Sequence, residues 1–211
     1  MIIKVCGLRE KTNILAIDAL SVDLIGMIFY EKSPRFVNDT CDIPITNKPK
    51  VGVFVNSSLE YVLEKIKKYK LQYVQLHGNE SDYFVHSLYH EIRDRNIKNI
   101  KIINVFSIDN QEDSKIDNDT MALYTPFCEY FLFDTKGRNY GGTGVKFDWQ
   151  ILESYTLETP FLLSGGISAD DIDEIKNIKH QQFVGIDINS KFEIKAGLKD
   201  VEKIKNFIEK L

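Results

Sequence analysis

Eight short, β-branched apolar runs punctuate the chain, and their C-terminal ends recur every 21 to 30 residues. They are Ile2–Cys6, Leu24–Phe29, Val51–Val55, Tyr73–Leu76, Ile100–Phe106, Tyr130–Asp134, Pro160–Ser164 and Phe183–Asp187. That spacing is about the length of one βα unit. Most of the runs are near-continuously apolar, the pattern of parallel strands buried on both faces. Amphipathic stretches fill the gaps. After Val55, Ser57 and Glu60 fit a capping box, and Leu59, Val62, Leu63, Ile66 and Tyr69 then hold one helical face. Ser168 and Asp171 open another helix, with Ile172, Ile175 and Ile178 facing inward. The last segment carries Val201, Ile204, Phe207, Ile208 and Leu211 at the same spacing. Residues 36–48, with Pro44 and Pro49 nearby, and the polar 107–125, with Pro126 beyond it, read in part as irregular loop.

Eight βα units predict an α/β fold of one kind, a single (β/α)8 TIM barrel over residues 1–211. The usual size of that fold is about 250 residues with a lower bound near 200, so this chain has little room for insertions. A doubly wound open sheet would carry G-x-G-x-x-G in its first turn. The first turn here is Cys6-Gly7-Leu8-Arg9, which does not fit. No break in composition and no Gly/Ser/Pro linker marks a second domain.

The proportions, 43% hydrophobic and 27% charged, are those of a globular chain and exclude a disordered or fibrous one. A formal net charge of −4 argues against a nucleic-acid partner, which would call for a basic stripe. It leaves room for a small anionic ligand, since a few backbone N–H groups make a phosphate site regardless of net charge. The three cysteines, Cys6, Cys41 and Cys128, show no CxxC or Cys/His spacing for zinc. The apolar start is too short for a signal peptide, and no stretch approaches the ~20 apolar residues that span a bilayer. The expectation is a reduced, soluble, cytoplasmic protein with no membrane partner, either a monomer or a homodimer.

In a barrel of this kind, function collects at the C-terminal ends of the strands. Ser164-Gly165-Gly166-Ile167-Ser168 leaves the seventh run and enters a helix, where glycines let the backbone approach an anion and helix N–H groups point at it. Asn189 and Ser190 occupy the equivalent place after the eighth run, and the Gly-rich stretch 137–144, with Gly142 and Gly144, can close over a ligand. Loops after strands 7 and 8 are the usual phosphate site of the fold. Cys6 ends the first run, where a thiol can serve as nucleophile or base; the alternative is an inert buried thiol. Asp134 follows Tyr-Phe-Leu-Phe, and two readings stay open. Either an apolar setting favours its protonated form, or its carboxylate caps the N–H groups of the following loop. Arg35 offers a planar fork suited to a carboxylate. His77 reads first as a structural hydrogen-bonder but faces the same end of the barrel, and Asp187 is placed to orient loop backbone. Cys41 and Cys128 look structural.

Together these stretches resemble the phosphoribosylanthranilate isomerase family. Lys4-Val5-Cys6-Gly7-Leu8, Ser33-Pro34-Arg35, Val51-Gly52-Val53-Phe54-Val55 and Val74-Gln75-Leu76-His77-Gly78 look like its successive motifs. Phe133-Asp134, Gly141-Gly142-Thr143-Gly144 with Phe147-Asp148-Trp149, and Ser164-Gly165-Gly166-Ile167 follow in order. Asp187-Ile188-Asn189-Ser190, Glu193 and Gly197-Leu198-Lys199-Asp200 close the series. The resemblance implies an Amadori rearrangement of a phosphoribosyl substrate in tryptophan biosynthesis, with Cys6 as general base and Asp134 as general acid. It implies that Arg35 and His77 contact substrate, with Arg35 on the anthranilate carboxylate, and that Gly142, Gly144, Gly165, Gly166, Asn189 and Ser190 surround the phosphate. It implies no metal and no cofactor, because the substrate's own amine is the electron sink. Lys191, Phe192 and Ala196 depart from the family pattern; Lys191 either points outward or adds a cation near the phosphate.

Reference acidities show what such a site must achieve. At pH 7 about 3% of an ordinary cysteine is thiolate and about 0.1% of an ordinary aspartate is protonated, so the reactive combination costs about 6 kcal/mol. The expectation is a lowered Cys6 pKa, a raised Asp134 pKa, or both, with Lys4, two residues before Cys6 on the same strand face, favouring the thiolate. Competing readings are another phosphoribosyl barrel enzyme or a non-catalytic phosphosugar-binding barrel. Histidine-pathway isomerases usually place an aspartate where this chain has Cys6, and the lysine/glutamate set of indole-glycerol-phosphate synthase is not found.

Overall fold

Strands that are apolar on both faces need cover on both sides, and a sheet closed on itself and wrapped by helices supplies it. The computed structural model, which describes residues 1–108, 115–135 and 148–211, has this arrangement. The strands are β1 (Ile2–Val5), β2 (Leu24–Ile28), β3 (Lys50–Phe54), β4 (Tyr73–Leu76), β5 (Lys101–Ile108), β6 (Tyr130–Thr135), β7 (Phe161–Leu163) and β8 (Phe183–Ile188). They pair in sequence order, and β8 returns to β1 in parallel register from Ile2 opposite Gly185 to Val5 opposite Ile188, closing the barrel. All eight coincide with the apolar runs to within two residues at each end.

The helices are α1 (Lys11–Asp18), α2 (Leu59–Tyr69), α3 (Asp82–Asp94), α4 (Asn118–Ala122), α5 (Ile172–Asn177) and α6 (Val201–Lys210). α2 buries Val62, Leu63, Ile66 and Tyr69 as the spacing requires; full burial of each aliphatic side chain there is worth about 1.5–3 kcal/mol. Its cap, however, is one residue later than the sequence suggests. Ser58, not Ser57, accepts the N–H of Tyr61, which places Glu60 in the first turn, where Arg95 binds it. The Ser168/Asp171 capping box is present, but it opens a single 3₁₀ turn (Ala169–Asp171) that runs into the short α5. Residues 36–48 form no helix, and only Asn118–Ala122 of the 115–125 stretch is helical. A small antiparallel pair, β9 (Glu193–Lys195) and β10 (Leu198–Lys199), lies between β8 and α6.

The core has two shells. Phe131, Phe133, Phe161, Ile186 and their neighbours fill the space between strands and helices. Leu24, Val51, Tyr73, Ile103, Val105, Leu132 and Leu162 fill the barrel interior. The interior shell sets the function, because side chains two residues further along the same strands also point inward. Among the described residues, no helix is long and apolar enough to cross a membrane.

Candidate functional site

The period-two alternation that sends Leu132 inward also sends Asp134 inward; the same holds for Lys4 and Cys6, Gln75 and His77, and Asp187 and Asn189. Their upper members converge where the strands end. There a cavity of about 720 Å³, part of it open to solvent, is lined by Cys6, Arg35, His77, Asp134, Gly165, Gly166, Asn189 and Ser190. Ile28, Tyr30, Ser33, Val53, Val55, Gln75, Ser164, Ile167 and Asp187 complete its wall. Every described residue singled out from sequence as ligand-facing is therefore in one place. Gly142 and Gly144 lie outside the described residues.

Beneath Cys6 sits a buried ion pair. Lys4 is fully buried, and its Nζ donates to Asp187 Oδ2 at 2.7 Å, across the β1–β8 seam that closes the barrel. Burial works against the Lys4 charge, but the Asp187 carboxylate and Cys6 outweigh it, and the ammonium is held above its ordinary value. Burial likewise pushes the Asp187 carboxyl up, against the pull of Lys4. Asp187 thus serves a buried charge and not the loop backbone expected of it. Its Oδ1, on the cavity wall, is buried without a hydrogen-bond partner among the described residues. Burial also pushes the Cys6 thiol up, so a lowered Cys6, one of the alternatives the sequence left, is not what the site has; Lys4 and Lys199 pull it down, and Asp187 adds to the rise. The β2 residue Gly26 makes the space for this thiol, since a Cβ there would lie 2.8 Å from Cys6 Sγ.

Asp134 has two polar partners. Its Oδ1 accepts the N–H of Thr135 at 2.9 Å, and its Oδ2 lies 3.0 Å from His77 Nε2. Of the two readings open in the sequence, the cap on following backbone is present in the geometry: Asp134 Oδ1 takes the Thr135 N–H, and polar groups surround the side chain. His77 Nδ1 in turn lies 3.2 Å from Gln75 Nε2. Gly165, with φ +89°, leaves room for the end of β6: a Cβ would collide with Thr135 Oγ1 and stand 2.7 Å from Thr135 N and 2.9 Å from Asp134 Oδ1. Gly166 also has positive φ, +73°. The backbone of these two residues therefore bends along the cavity wall in a conformation that side-chain-bearing residues rarely adopt.

Arg35 is not a free cation. Its Nε and Nη2 donate in a bidentate fork to Glu193 at 2.9 and 2.7 Å. Lys199 Nζ joins the same carboxylate at 2.7 Å and donates to Asn189 Oδ1 at 2.6 Å. Burial alone would raise the Glu193 carboxyl, but Arg35 and Lys199 outweigh it and hold it below the ordinary range. Arg35 thus arrives at the cavity wall already oriented. Sequence reasoning gave no role to Gln75, Glu193 or Lys199. Gln75 was readable by its period-two relation to His77, whereas the Arg35–Glu193 contact spans 158 residues and has no local signature. Lys191 is exposed and does not line the cavity, and its carbonyl accepts Lys203 Nζ. Phe192 is buried against Phe207, ring centroids 4.8 Å apart.

A family model described as N-(5'phosphoribosyl)anthranilate (PRA) isomerase matches residues 3–210. The chain belongs to this family. It is 46% identical over 217 residues to the N-(5'-phosphoribosyl)anthranilate isomerase of Parabacteroides distasonis, an alignment covering 100% of this chain and 93% of that one. The crystal structure of phosphoribosyl anthranilate isomerase from Thermotoga maritima superposes with a TM-score of 0.73 at 28% identity, covering 100% and 98% of the two chains. A phosphoribosyl anthranilate isomerase crystallised with reduced 1-(o-carboxyphenylamino)-1-deoxyribulose 5-phosphate gives 0.70 at 25%, with the same coverage. The isomerase family thus accounts for the eight-stranded barrel and for the ordered motifs that line its mouth.

Proposed function

We propose that this protein is an isomerase of tryptophan biosynthesis that converts N-(5'-phosphoribosyl)anthranilate to 1-(2-carboxyphenylamino)-1-deoxyribulose 5-phosphate, with Asp134 as general acid and Cys6 as general base. The observation that carries the reading is the meeting of Cys6 and Asp134 on the wall of one cavity, in a chain of the isomerase family. Asp134 gives a proton to the ring oxygen of the ribose. The C1–O bond breaks, and the nitrogen lone pair forms the C1=N bond of a Schiff base. Cys6 then takes the proton from C2; that C–H pair becomes the C1=C2 bond and the C1=N pair returns to nitrogen. The resulting enol-amine loses its hydroxyl proton and gains one at C1, giving the ketone.

The remaining residues divide by charge and position. The Gly165-Gly166 backbone and the Asn189-Ser190 turn suit the phosphate, as loops after strands 7 and 8 do in this fold. Gly142 and Gly144 are assigned to the same group on the family motif. Arg35, whose Nε and Nη2 are fixed by Glu193, takes the anthranilate carboxylate through its remaining guanidinium N–H groups. His77 contacts both the acid and the cavity. The setting of Cys6 refines the chemistry. Because burial pushes Cys6 up, the thiolate is the scarce form, and Lys4 beneath it works against that scarcity.

The test is direct. Purified protein is given freshly made phosphoribosylanthranilate, and the decay of its fluorescence is followed. Loss of the signal with formation of the ketone supports the reading. Absence of turnover by folded protein that still binds phosphate ligands overturns it and moves the weight to another phosphosugar barrel activity.

A further inference from the structure

Gln75 is fully buried in the barrel, one turn of the strand below His77, and its Oε1 has no hydrogen-bond partner among the described residues. An unpaired buried acceptor is a standing cost that a leucine or methionine at the same inward position would not carry. The amide makes one contact, Nε2 to His77 Nδ1 at 3.2 Å. An amide NH₂ only donates, so Nδ1 must accept, and the imidazole proton sits on Nε2. Turning the amide over would offer Oε1 to Nδ1 and leave both N–H groups without a partner, where the present orientation leaves one N–H and the Oε1 acceptor. Nε2–H in turn points at Asp134 Oδ2, 3.0 Å away.

We propose that Gln75 is a positioning residue for the acid step, holding His77 as the Nε2–H tautomer so that a donor faces Asp134 as its carboxylate forms. The inference rests on the functional reading above. When Asp134 passes its proton to the ring oxygen, negative charge grows on a carboxylate that Thr135 N–H holds at Oδ1 and His77 Nε2–H holds at Oδ2. Donors aimed in advance at developing charge lower the barrier to the step. The opposite tautomer would set a nitrogen lone pair against the same oxygen. The consequence falls on kcat more than on KM, because the charge is absent from the ground-state complex.

The experiment uses the full chain labelled with ¹⁵N-histidine, in wild type, Gln75→Glu and Gln75→Met. Ring ¹⁵N shifts of His77 report which nitrogen carries the proton, whether or not the protein turns over. We expect Nε2–H in wild type. In Gln75→Glu, a carboxylate of the same length accepts and does not donate, so we expect Nδ1 to be protonated and kcat to fall about 100-fold, with KM within about threefold. Gln75→Met keeps the packing, loses the tautomer preference and falls between the two. In an Asp134→Asn background, Gln75→Glu has no further effect on kcat. An Nδ1–H tautomer in wild type, or a Gln75→Glu enzyme with kcat within threefold of wild type, overturns the inference. Wild type that holds the Nε2–H tautomer but does not turn over phosphoribosylanthranilate instead overturns the functional reading.

Discussion

Replacing Lys4 by methionine tests the most consequential contact that the fold makes beneath the site. Lys4 is fully buried, and its Nζ meets Asp187 Oδ2 at 2.7 Å with both side chains out of water. Methionine keeps the volume and removes the charge, leaving Asp187 buried and unpaired. Removing one partner of such a pair costs about 3–5 kcal/mol. In a chain of this length each kcal/mol shifts the midpoint by about 2–4 °C, so the melting temperature should fall by about 6–20 °C at pH 7. Asp187→Leu in the same chain removes the orphaned charge and should recover most of the loss, since an apolar pair of similar volume replaces a buried ion pair at little cost. Thermal and urea unfolding of the three proteins measure this. A single variant within about 1 kcal/mol of wild type, or a double variant no more stable than the single, would refute the argument. The same substitution takes a cation from beside Cys6, so alkylation of that thiol near neutral pH should slow; an unchanged rate would remove Lys4 from the chemistry.

Three further outcomes follow from single residues. Gly165→Ala forces a Cβ at φ +89° onto Thr135 Oγ1 and to 2.7 Å from Thr135 N and 2.9 Å from Asp134 Oδ1; the shifted end of β6, which carries the acid, should lower turnover about 100-fold, and near-normal kcat in steady-state assays would contradict the packing. Burial pushes the Cys128 thiol up to about 12, from an ordinary 9.0. A raised folded-state value contributes stability below the unfolded pKa that is lost as pH rises toward 12, so between pH 9 and 10 urea stability should fall about 1 kcal/mol per pH unit more steeply in wild type than in Cys128→Ala, and equal slopes would reject it. Ser58→Ala should cost about 1 kcal/mol through the lost cap on Tyr61 N–H, whereas Ser57→Ala should be near neutral; the reverse order in chemical unfolding would restore the earlier cap.

The barrel was legible because its strands are buried on both faces, which writes each one as an unbroken apolar run at βα spacing. The site was legible to the extent that it follows from strand ends: Cys6, His77, Asp134, Gly165 and Asn189 all lie at or just beyond one, and closure of the sheet brings them together. What the sequence hid was pairing. Lys4 and Asp187 are 183 residues apart and meet only because β8 returns to β1. Asp134 follows Tyr-Phe-Leu-Phe in sequence, yet its side chain ends beside the Thr135 N–H and the His77 imidazole. The capping box read at Ser57 falls one residue early, because which of the two adjacent serines caps depends on how the chain leaves β3, a tertiary matter. The clearance that Gly26 gives Cys6 comes from the neighbouring strand and leaves no trace near the cysteine itself.

The division of labour between Cys6 and Asp134 is tested most directly by Cys6→Ser and Asp134→Asn, with turnover of phosphoribosylanthranilate and affinity for a reduced product analogue measured on the same folded preparations. Removing a general acid or base costs about 10²–10⁴ in rate. Each variant should lose at least that much kcat while analogue affinity stays within about tenfold of wild type. Either variant retaining more than a tenth of wild-type kcat would contradict the assignment of that residue.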